Sequence, residues 1–439
     1  MSIKVLKFGG SSLADAAQFQ KVASIIHADP ERRYVVPSAP GKRFSGDRKV
    51  TDMLYACYDA IQGGASFAES FADIRERYFD IIRELSLDFD FDALLPDLEK
   101  GFAEPDARDF AASRGEFLNG QLLAAYLGIP FVDAADVIFF RPDGRLDEER
   151  TYPAVAEIAK KYDRAVIPGF YGRAADGRVR TFSRGGSDIT GSIVARAVGA
   201  DLYENWTDVS GMLSADPRIV SNPRVIETIS FNELRELSYM GSVVLHEDAV
   251  FPVRTVGIPI NIKNTNAPED AGTIIVDASI APVRAGRVTG IAGKRGFSII
   301  TIEKDMMNSE VGFTRRVLSV LEKHNISYEH LPTGIDTLGI VVRTELIEKI
   351  SETLVKEIYE AAAPDTIEIV PNIALLAVVG RGMVRSKGIA ARLLTAIAGA
   401  DINIRMIDQG SSEMNIIVGV DEADFERAMR GIYVEFFIQ

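Results

Sequence analysis

Short apolar runs alternate with amphipathic segments over the first 280 residues of the chain. Apolar residues recur every three or four positions within residues 14–27 and 67–85, which predicts helices with one buried face. The short apolar runs predict strands at residues 3–8, 33–37, 131–133, 165–168, 202–206, 258–264 and 272–276. Because strands that alternate with helices form parallel sheets, this part of the chain predicts an α/β domain.

After a linker at residues 277–286 the pattern changes, and the order strand, helix, strand, strand, helix, strand occurs twice. The predicted strands lie at residues 298–303, 326–331, 338–343 and 366–370, then at 373–379, 402–407, 414–420 and near 434. This order is typical of ferredoxin-like domains. Small sheets of this kind pair edge to edge and leave pockets for small ligands, so the second part predicts a regulatory module. The predicted domains are residues 1–280, 287–371 and 372–439.

Composition excludes several classes of protein. A chain of 439 residues is too long for one core, which agrees with the predicted domains. Its net charge of −14 argues against nucleic-acid and anionic-membrane partners. The single cysteine, Cys57, excludes an intramolecular disulfide, and four scattered histidines lack the spacing of a zinc site. With no leader and no apolar run of about 20 residues, the sequence predicts a cytoplasmic protein.

Three polar turns that contain glycine each follow a predicted strand. Glycines let a backbone approach a charged ligand closely, and a helix that follows offers free N–H groups to an anion. The turns are Lys7-Phe8-Gly9-Gly10-Ser11-Ser12, Arg184-Gly185-Gly186-Ser187-Asp188, and Thr207-Asp208-Val209-Ser210-Gly211 with Asp216-Pro217-Arg218. Together they predict that one edge of the sheet binds a phosphorylated ligand.

Two of these features have simpler interpretations. Ser187 could be a helix N-cap that follows a tight glycine turn. Glu116, in a predicted helix that begins at Ser113-Arg114-Gly115-Glu116, could be an ordinary acidic residue of a first helical turn.

In this order and spacing, the residues resemble the aspartokinases, which belong to the amino-acid kinase family. The resemblance spans essentially the whole chain. Besides the three turns it includes Gly115-Glu116, Lys263-Asn264-Thr265, Gly272-Thr273 and Gln409-Gly410-Ser411-Ser412-Glu413. It implies a three-layer αβα kinase domain followed by two ferredoxin-like ACT domains of βαββαβ order. It also implies that the protein phosphorylates the side chain of L-aspartate with ATP, in the first step of lysine, threonine and methionine biosynthesis.

The resemblance also implies roles for individual residues. Lys7 would lie between the acceptor carboxylate and the transferred phosphoryl group, held by Asp188, with amides of Gly9, Gly10 and Ser11 as donors. The substrate would be bound by Thr51, Glu116, Arg184 and Ser187, with Arg184 and Ser187 on the α-carboxylate and Glu116 on the amine. The nucleotide would be held by Lys7 and the first turn and by Thr207, Asp208, Leu213 and Arg218. Mg²⁺ would bridge phosphate oxygens.

Two departures from the family pattern affect the adenine pocket. Leu213 stands where the family often has tyrosine, and Ser242-Val243-Val244-Leu245-His246-Glu247 stands where it often has Ala-Lys-Val-Leu-His-Pro. The sequence contains no Gly-x-x-x-x-Gly-Lys-Ser/Thr motif, so a P-loop kinase is not supported.

For regulation, the resemblance implies feedback inhibition by lysine and a homodimer, or a dimer of dimers, formed through the ACT domains. The effector pocket would combine residues of two subunits, with Met307, Ser309, Gly312, Phe313 and Glu329 from each. These residues could equally be ordinary packing at a helix N-terminus. Two other functions stay open: another amino-acid or nucleotide kinase of this fold, and an amino-acid-sensing protein whose kinase half is inactive.

Overall fold

The computed structural model describes residues 2–183, 185–242, 245, 247–283 and 285–438, with only the backbone described at 247 and 248. The chain divides into two compact units. Unit 1 comprises Met1–Met212, Val225–Phe231 and Val244–Ala281, and unit 2 comprises Leu213–Arg224, Asn232–Val243 and Pro282–Gln439. The chain therefore passes between the units several times, and the continuous domain boundaries given above stay a prediction.

Unit 1 contains a seven-stranded sheet of order β3-β2-β1-β6-β8-β9-β7 and a separate hairpin, β4–β5. All neighbouring strands of the large sheet are parallel except β8 and β9. Its strands are β1 (Lys4–Phe8), β2 (Arg32–Pro37), β3 (Ala165–Val166), β4 (Tyr171–Arg173), β5 (Val179–Thr181), β6 (Leu202–Thr207), β7 (Thr228–Ser230), β8 (Ile260–Asn264) and β9 (Thr273–Val276). The mainly parallel sheet confirms the predicted fold class, whereas β7 and the hairpin were not predicted.

Eleven α-helices occur in the described chain before residue 255. They are α1 (Ala16–His27), α2 (Val50–Gln62), α3 (Phe67–Ser70), α4 (Ala72–Glu84), α5 (Leu95–Ala103), α6 (Arg108–Leu127), α7 (Ala134–Val137), α8 (Glu148–Lys161), α9 (Gly186–Ala197), α10 (Phe231–Tyr239) and α11 (Glu247–Arg254). The single helix predicted for residues 67–85 is wrong, because the chain bends at Phe71 between α3 and α4. Its apolar stripe is nevertheless core, since Phe71, Ile74, Tyr78 and Ile81 are all buried.

Unit 2 contains one five-stranded sheet of order β11-β10-β12-β14-β13. Its strands are β10 (Gly290–Glu303), β11 (Thr337–Arg343), β12 (Thr366–Val379), β13 (Ile404–Asp408) and β14 (Asn415–Asp421). Its further helices are α12 (Phe313–Lys323), α13 (Thr344–Ile347), α14 (Ser351–Ala362), α15 (Ile389–Gly399) and α16 (Phe425–Tyr433). Helices α12 and α14 pack on one hydrophobic core, and α15 and α16 pack on another.

Two strands predicted for unit 2 are wrong. Residues 326–331 form only an isolated bridge, His330 to Val341. Residues Val434–Ile438 form a π-helical turn, and the sheet position expected for them is filled by the first half of β10, where Ile291 pairs with Val378. The two ferredoxin-like halves therefore share β10 and β12 and form one continuous sheet.

In the part of the chain that the structure describes, no helix combines the length and the apolar character needed to cross a membrane.

Candidate active site

The carboxyl ends of β1 and β6 place the first and third glycine-bearing turns next to each other. The two strands are parallel neighbours, and Lys7 pairs with Asn205 in their register. The N–H of Gly9 donates to the carbonyl of Trp206 at 2.9 Å. The hydroxyls of Ser12 and Thr265 lie 2.8 Å apart, and the N–H of Thr265 donates to the carbonyl of Thr207 at 2.9 Å. The ends of β1, β6 and β8 thus meet at one edge of the sheet.

Lys7 is buried at this edge and forms an ion pair. Its Nζ lies 2.6 Å from Oδ1 of Asp188, in the first turn of α9. Nδ2 of Asn205 donates to the same oxygen at 2.8 Å, so two groups orient one carboxylate. A Cβ atom on Gly9 would lie 3.6 Å from Lys7 Nζ. The amine is therefore held directly beside the first glycine turn.

Asn205 was not among the predicted site residues. It lies inside a buried strand, where alternation alone cannot separate a structural amide from one that contacts a catalytic residue. Its hydrogen bond to Asp188 is visible only once the strands are assembled.

Glu116 is a buried carboxyl group in the middle of α6. The helix begins at Arg108 and not at Ser113 as predicted, so Glu116 lies eight residues inside it and the interpretation as a first-turn acid is wrong. Its side chain is buried, and Oε2 has no hydrogen-bond partner among the described residues. Burial raises the pKa of Glu116 to about 8, against smaller opposing effects that include the charges of Lys7 and Arg114. An unpaired buried oxygen of this kind is available to a ligand.

Arg114, two residues earlier on α6, is a buried cation that sequence reasoning did not single out. Its guanidinium lies 4.4 Å from the ring centre of Phe110, 4.2 Å from Phe117 and 5.3 Å from Tyr171. Nη2 donates to Ser113 Oγ at 2.9 Å. The aromatic rings replace part of the lost hydration of the guanidinium.

Ser187 is buried in α9, two residues after the N-cap. The N-cap is Gly185, which has the left-handed φ of 56°, so the interpretation of Ser187 as an N-cap is wrong. A Cβ atom on Gly169 would lie 2.6 Å from Ser187 Oγ, which shows how closely the loop after β3 approaches the serine. Arg184 lies outside the described residues, so the placement of its side chain at the same sheet edge as Lys7 stays a prediction.

The other predicted substrate and nucleotide residues occupy several places. Thr51 is half-buried in the first turn of α2. Thr207 Oγ1 lies 3.2 Å from Oδ1 of Asp208, just beyond the end of β6. Leu213 and Arg218 belong to unit 2, where Arg218 is exposed and its Nη2 lies 2.6 Å from Asp216 Oδ2. Val243 lies outside the described residues.

Four of the five predicted effector residues lie close together in sequence around the start of α12. Met307 and Phe313 are buried, the Ser309 hydroxyl donates to the Met306 carbonyl at 3.0 Å, and Gly312 is the N-cap with a φ of 85°.

The fifth is Glu329, whose N–H donates to the carbonyl of Val341 in β11 at 2.8 Å. Val341 in turn pairs with Ile299 of β10. Glu329 therefore lies beside the edge strand β11, at the level of Ile299. Met307 lies beyond Glu303 at the far end of β10, where the N–H of Asn308 donates to the carbonyl of Ile335 at 3.1 Å. The carboxylate of Glu329 accepts a hydrogen bond from Tyr239 and lies 3.6 Å from Arg343.

Known proteins match this chain over nearly its whole length. The amino acid kinase family matches residues 2–264, and an ACT domain matches residues 376–436. Aspartokinase 3 of Bacillus subtilis is 41% identical in an alignment of 450 positions that covers 99% of each chain. The chain belongs to the aspartokinase family. It is therefore an ATP-dependent phosphotransferase that acts on a carboxyl group of aspartate, as the resemblance implied.

Solved structures of the family support the same fold. The crystal structure of Clostridium acetobutylicum aspartate kinase is 52% identical with a TM-score of 0.94, over 99% of this chain and 100% of that one. Escherichia coli aspartokinase III is similar with a TM-score of 0.73 over 99% of this chain, both in complex with aspartate and ADP (26% identical) and in complex with lysine and aspartate (25% identical). The predicted α/β kinase fold followed by an ACT region is confirmed.

Proposed function

We propose that the protein transfers the γ-phosphoryl group of ATP to the side-chain carboxylate of L-aspartate and releases 4-phospho-L-aspartate. The observation that carries this assignment is the ion pair of the buried Lys7 and the half-buried Asp188 beside the first glycine turn, with Nζ and Oδ1 2.6 Å apart. Phosphoryl transfer requires positioning and neutralisation of charge more than covalent catalysis by the protein. A fixed amine next to a glycine turn meets both requirements.

In this proposal Lys7 stabilises charge on the transferred group, and Asp188 and Asn205 keep its amine in position. The amides of Gly9, Gly10 and Ser11 act as further donors to phosphate oxygens. Because Lys7 is buried and Asp188 is half-buried, solvent screens these interactions less than it would at the surface, and each is correspondingly stronger.

Recognition of aspartate is assigned to groups of complementary charge. Glu116 would bind the ammonium group through its unpaired oxygen, and Arg184 with Ser187 would bind the α-carboxylate. Thr51 would be a further substrate contact at the start of α2.

The nucleotide would be bound by the first turn together with Thr207, Asp208, Leu213 and Arg218. The described residues contain no group of three or more His, Cys, Asp or Glu that could hold a metal ion. Mg²⁺ would therefore be held mainly by phosphate oxygens, with at most one or two carboxylates, as is usual for this ion. It would neutralise charge on the phosphates.

The test is coupled ADP production with Mg·ATP and L-aspartate, run beside other amino-acid and nucleotide acceptors. We expect aspartate-dependent ADP release that falls by about 100-fold or more in Lys7→Ala, since one charged group at a developing anion contributes on this scale. Lys160→Ala, at an exposed position, is the control and should keep wild-type activity. Nucleotide binding without ADP release would instead support the amino-acid-sensing protein with an inactive kinase half.

We further propose feedback inhibition by lysine, through a pocket that combines Met307, Ser309, Gly312 and Phe313 of one ACT region with Glu329 of a second copy. Supporting this proposal, Glu329 does not lie beside the other four within one chain, and the E. coli enzyme forms a complex with lysine. The proposal implies a homodimer or a dimer of dimers, a cytoplasmic location and a role in lysine, threonine and methionine biosynthesis.

Titration of the coupled assay with lysine and with threonine tests the regulatory proposal. We expect lysine to inhibit at millimolar concentration and Glu329→Gln to weaken that inhibition several-fold, because an effector acts only through its different affinity for two states. Light scattering should show a dimer or tetramer. A flat lysine titration would refute the inhibitor assignment and leave the catalytic one intact.

A further inference from the structure

The loop between β2 and α2, residues 38–49, lies against the first glycine turn. The N–H of Ser38 donates to the carbonyl of Phe8 at 3.0 Å, and that of Gly41 donates to the carbonyl of Gly10 at 2.8 Å. A Cβ atom on Gly41 would lie 2.6 Å from the nitrogen of Ser11, so no side chain fits between the two backbones. A displacement of the 38–49 loop would therefore displace the amides assigned to the phosphates.

The internal hydrogen bonds of the 38–49 loop lie within residues 43–47 and do not hold the loop against the rest of the protein. Asp47 accepts hydrogen bonds from the backbone N–H of Arg43 at 3.0 Å and from its Nε at 2.9 Å. Most side chains between residues 42 and 49 are exposed. Because ordering each residue of such a segment costs conformational entropy, an ordered loop needs an anchor outside itself.

Asn119 of α6 holds the start of the loop by donating from Nδ2 to the carbonyl of Ser38 at 2.6 Å, and Arg77 of α4 anchors the part from Gly41 to Arg48. The Nη2 of Arg77 donates to the carbonyl of Gly41, its Nη1 donates to the carbonyl of Arg48 at 2.7 Å, and Nη1 lies 3.3 Å from Oδ2 of Asp47. The planar guanidinium thus holds both ends of that part, which a lysine cannot do with the same geometry.

This arrangement is costly for the fold. Arg77 is only 4% exposed, and its Nε is buried without an acceptor in the part of the chain that the structure describes. Burial lowers the pKa of Arg77, which reflects the loss of hydration. Buried ion pairs rarely stabilise a fold more than apolar residues of similar size would. A buried arginine whose bonds all go to one loop is therefore better explained by the position of that loop than by stability.

We propose that Arg77 is a positioning residue for phosphoryl transfer. It does not contact substrate; it holds Gly41 against Gly10 and thereby fixes the Gly9–Ser11 amides and the start of α2 at Thr51. The inference rests on the proposed roles of that turn and of Thr51. Loss of the anchor should lower kcat and raise KM for both substrates, because reacting groups held about 1 Å away from their productive positions lose much of the advantage of proximity.

The kinetic test uses the full-length protein with Arg77→Lys, which keeps the charge but loses the forked geometry. We expect kcat/KM for ATP to fall about 10- to 100-fold. Ile81→Val on the same helix is the matched control, because Ile81 is buried and its truncation weakens the core without removing a contact to the loop. That variant should keep kcat/KM within about twofold of wild type.

A second experiment measures how readily the 38–49 loop opens, and it does not depend on enzyme activity. The 38–49 loop contains four sites for trypsin: Lys42, Arg43, Arg48 and Lys49. Proteolysis of a native protein reports local opening. Cleavage within the loop should accelerate about tenfold in Arg77→Lys but not in Ile81→Val, and saturating Mg·ATP should slow it.

The outcomes separate the two proposals. Absence of aspartate-dependent ADP release in the wild type would refute the proposed function, while proteolysis would still test the anchor. Wild-type kcat/KM in Arg77→Lys, or an equal loss in Ile81→Val, would overturn the positioning role. If Arg77→Lys does not fold, Asp47→Asn is the second variant, because it removes the ion pair with Arg77 and keeps the two hydrogen bonds from Arg77 to the carbonyls of Gly41 and Arg48. Asp47→Asn should lower kcat/KM and accelerate cleavage by smaller factors than Arg77→Lys. Unchanged values of both would overturn the positioning role.

Discussion

Glu116 combines burial, an unpaired oxygen and a nearby cation, and each has a separate effect on its chemistry. Burial disfavours the ionised form and is the largest cause of a pKa of about 8, while the charge of Lys7 opposes it. A ligand ammonium at the unpaired Oε2 would restore the missing interaction and favour ionisation. Binding of aspartate should therefore be accompanied by loss of a proton from Glu116.

The coupling between aspartate binding and ionisation of Glu116 predicts that KM for aspartate depends on pH. Below about pH 8 the carboxyl is protonated in the free enzyme, so KM for aspartate should fall as the pH rises from 6 to 8, by at most about tenfold per unit, and level off above. Glu116→Gln should raise KM at pH 8.5 and flatten the profile. Measurements of KM at fixed Mg·ATP across this range test it; equal slopes in the two proteins would contradict the role of Glu116.

The raised pKa of Glu116 also makes the free energy of unfolding depend on pH. Glu116 has a higher pKa in the folded chain than the ordinary value of 4.5, so the folded state binds the proton more tightly. Its contribution to the free energy of unfolding is complete below pH 4.5 and is lost as the pH rises through about 8. Without substrate, Glu116→Gln should be less sensitive than wild type to a rise from pH 6 to 8 in urea unfolding.

At the scale of elements, close contacts of loops with one another and with helices determine the shape of the site. Gly41 and Gly10 touch, and the loop after β3 meets α9 where Gly169 lies against Ser187. In both places the absence of a side chain is what allows two elements to approach.

Gly169→Ala is predicted to displace Ser187. The added methyl group would lie 2.6 Å from Ser187 Oγ, so either the loop or the first turn of α9 must shift. Since Ser187 is assigned to the α-carboxylate, KM for aspartate should rise about tenfold, with a smaller change in KM for ATP. Gly399→Ala, where a Cβ would meet nothing within 4 Å, is the control. An unchanged KM for aspartate in Gly169→Ala would argue against the role of Ser187.

The elements also show what the sequence could and could not predict. Six of the seven strands of the kinase sheet were found to within a few residues, because apolar runs bounded by glycine turns give a clear signal. The strand β7 was missed, and the strand predicted at residues 131–133 is wrong, since Phe131 forms only an isolated bridge to Val166. The start of α6 was missed because Ala107 provides no side-chain cap, while Ser113 has the identity of a cap. Arg77 and Asn205 carry no local signal, since their contacts join residues far apart in the sequence.

The two ACT repeats were recognised by their order, but their assembly was not. The apolar run from Val434 suits a strand as well as a helical turn, and its place in the sheet is filled by residues of β10 from well before it in the sequence. Periodicity cannot identify which strand fills an edge.

At the scale of the whole molecule, the division into units differs from a simple order of domains. Residues Leu213–Arg224 belong to unit 2 although they lie between segments of unit 1. Ala215 and Val220 are buried in the core formed with α15 and α16, and the hydroxyl of Tyr433 accepts a hydrogen bond from the N–H of Arg224 at 2.9 Å.

A fragment of residues 1–280 is therefore predicted to fold poorly. It would keep Ala215 and Val220 but lose the residues that cover them, and it would leave the N–H of Arg224 without its acceptor. We expect it to bind a hydrophobic dye and to aggregate at concentrations where the full chain does not. A soluble, cooperatively unfolding fragment with full nucleotide binding would contradict this expectation.

The shared strands of unit 2 also restrict how this protein can change over evolutionary time. A ferredoxin-like half that formed all its strands from its own continuous segment could be exchanged between genes by recombination in the loops on either side. Here a cut in β12 near Ile373 would leave the second half without its neighbouring strand, the first part of β10 at residues 290–294, which lies before the first half in the sequence. Recombination can therefore transfer the pair together, while each half can diverge only by point substitution in place.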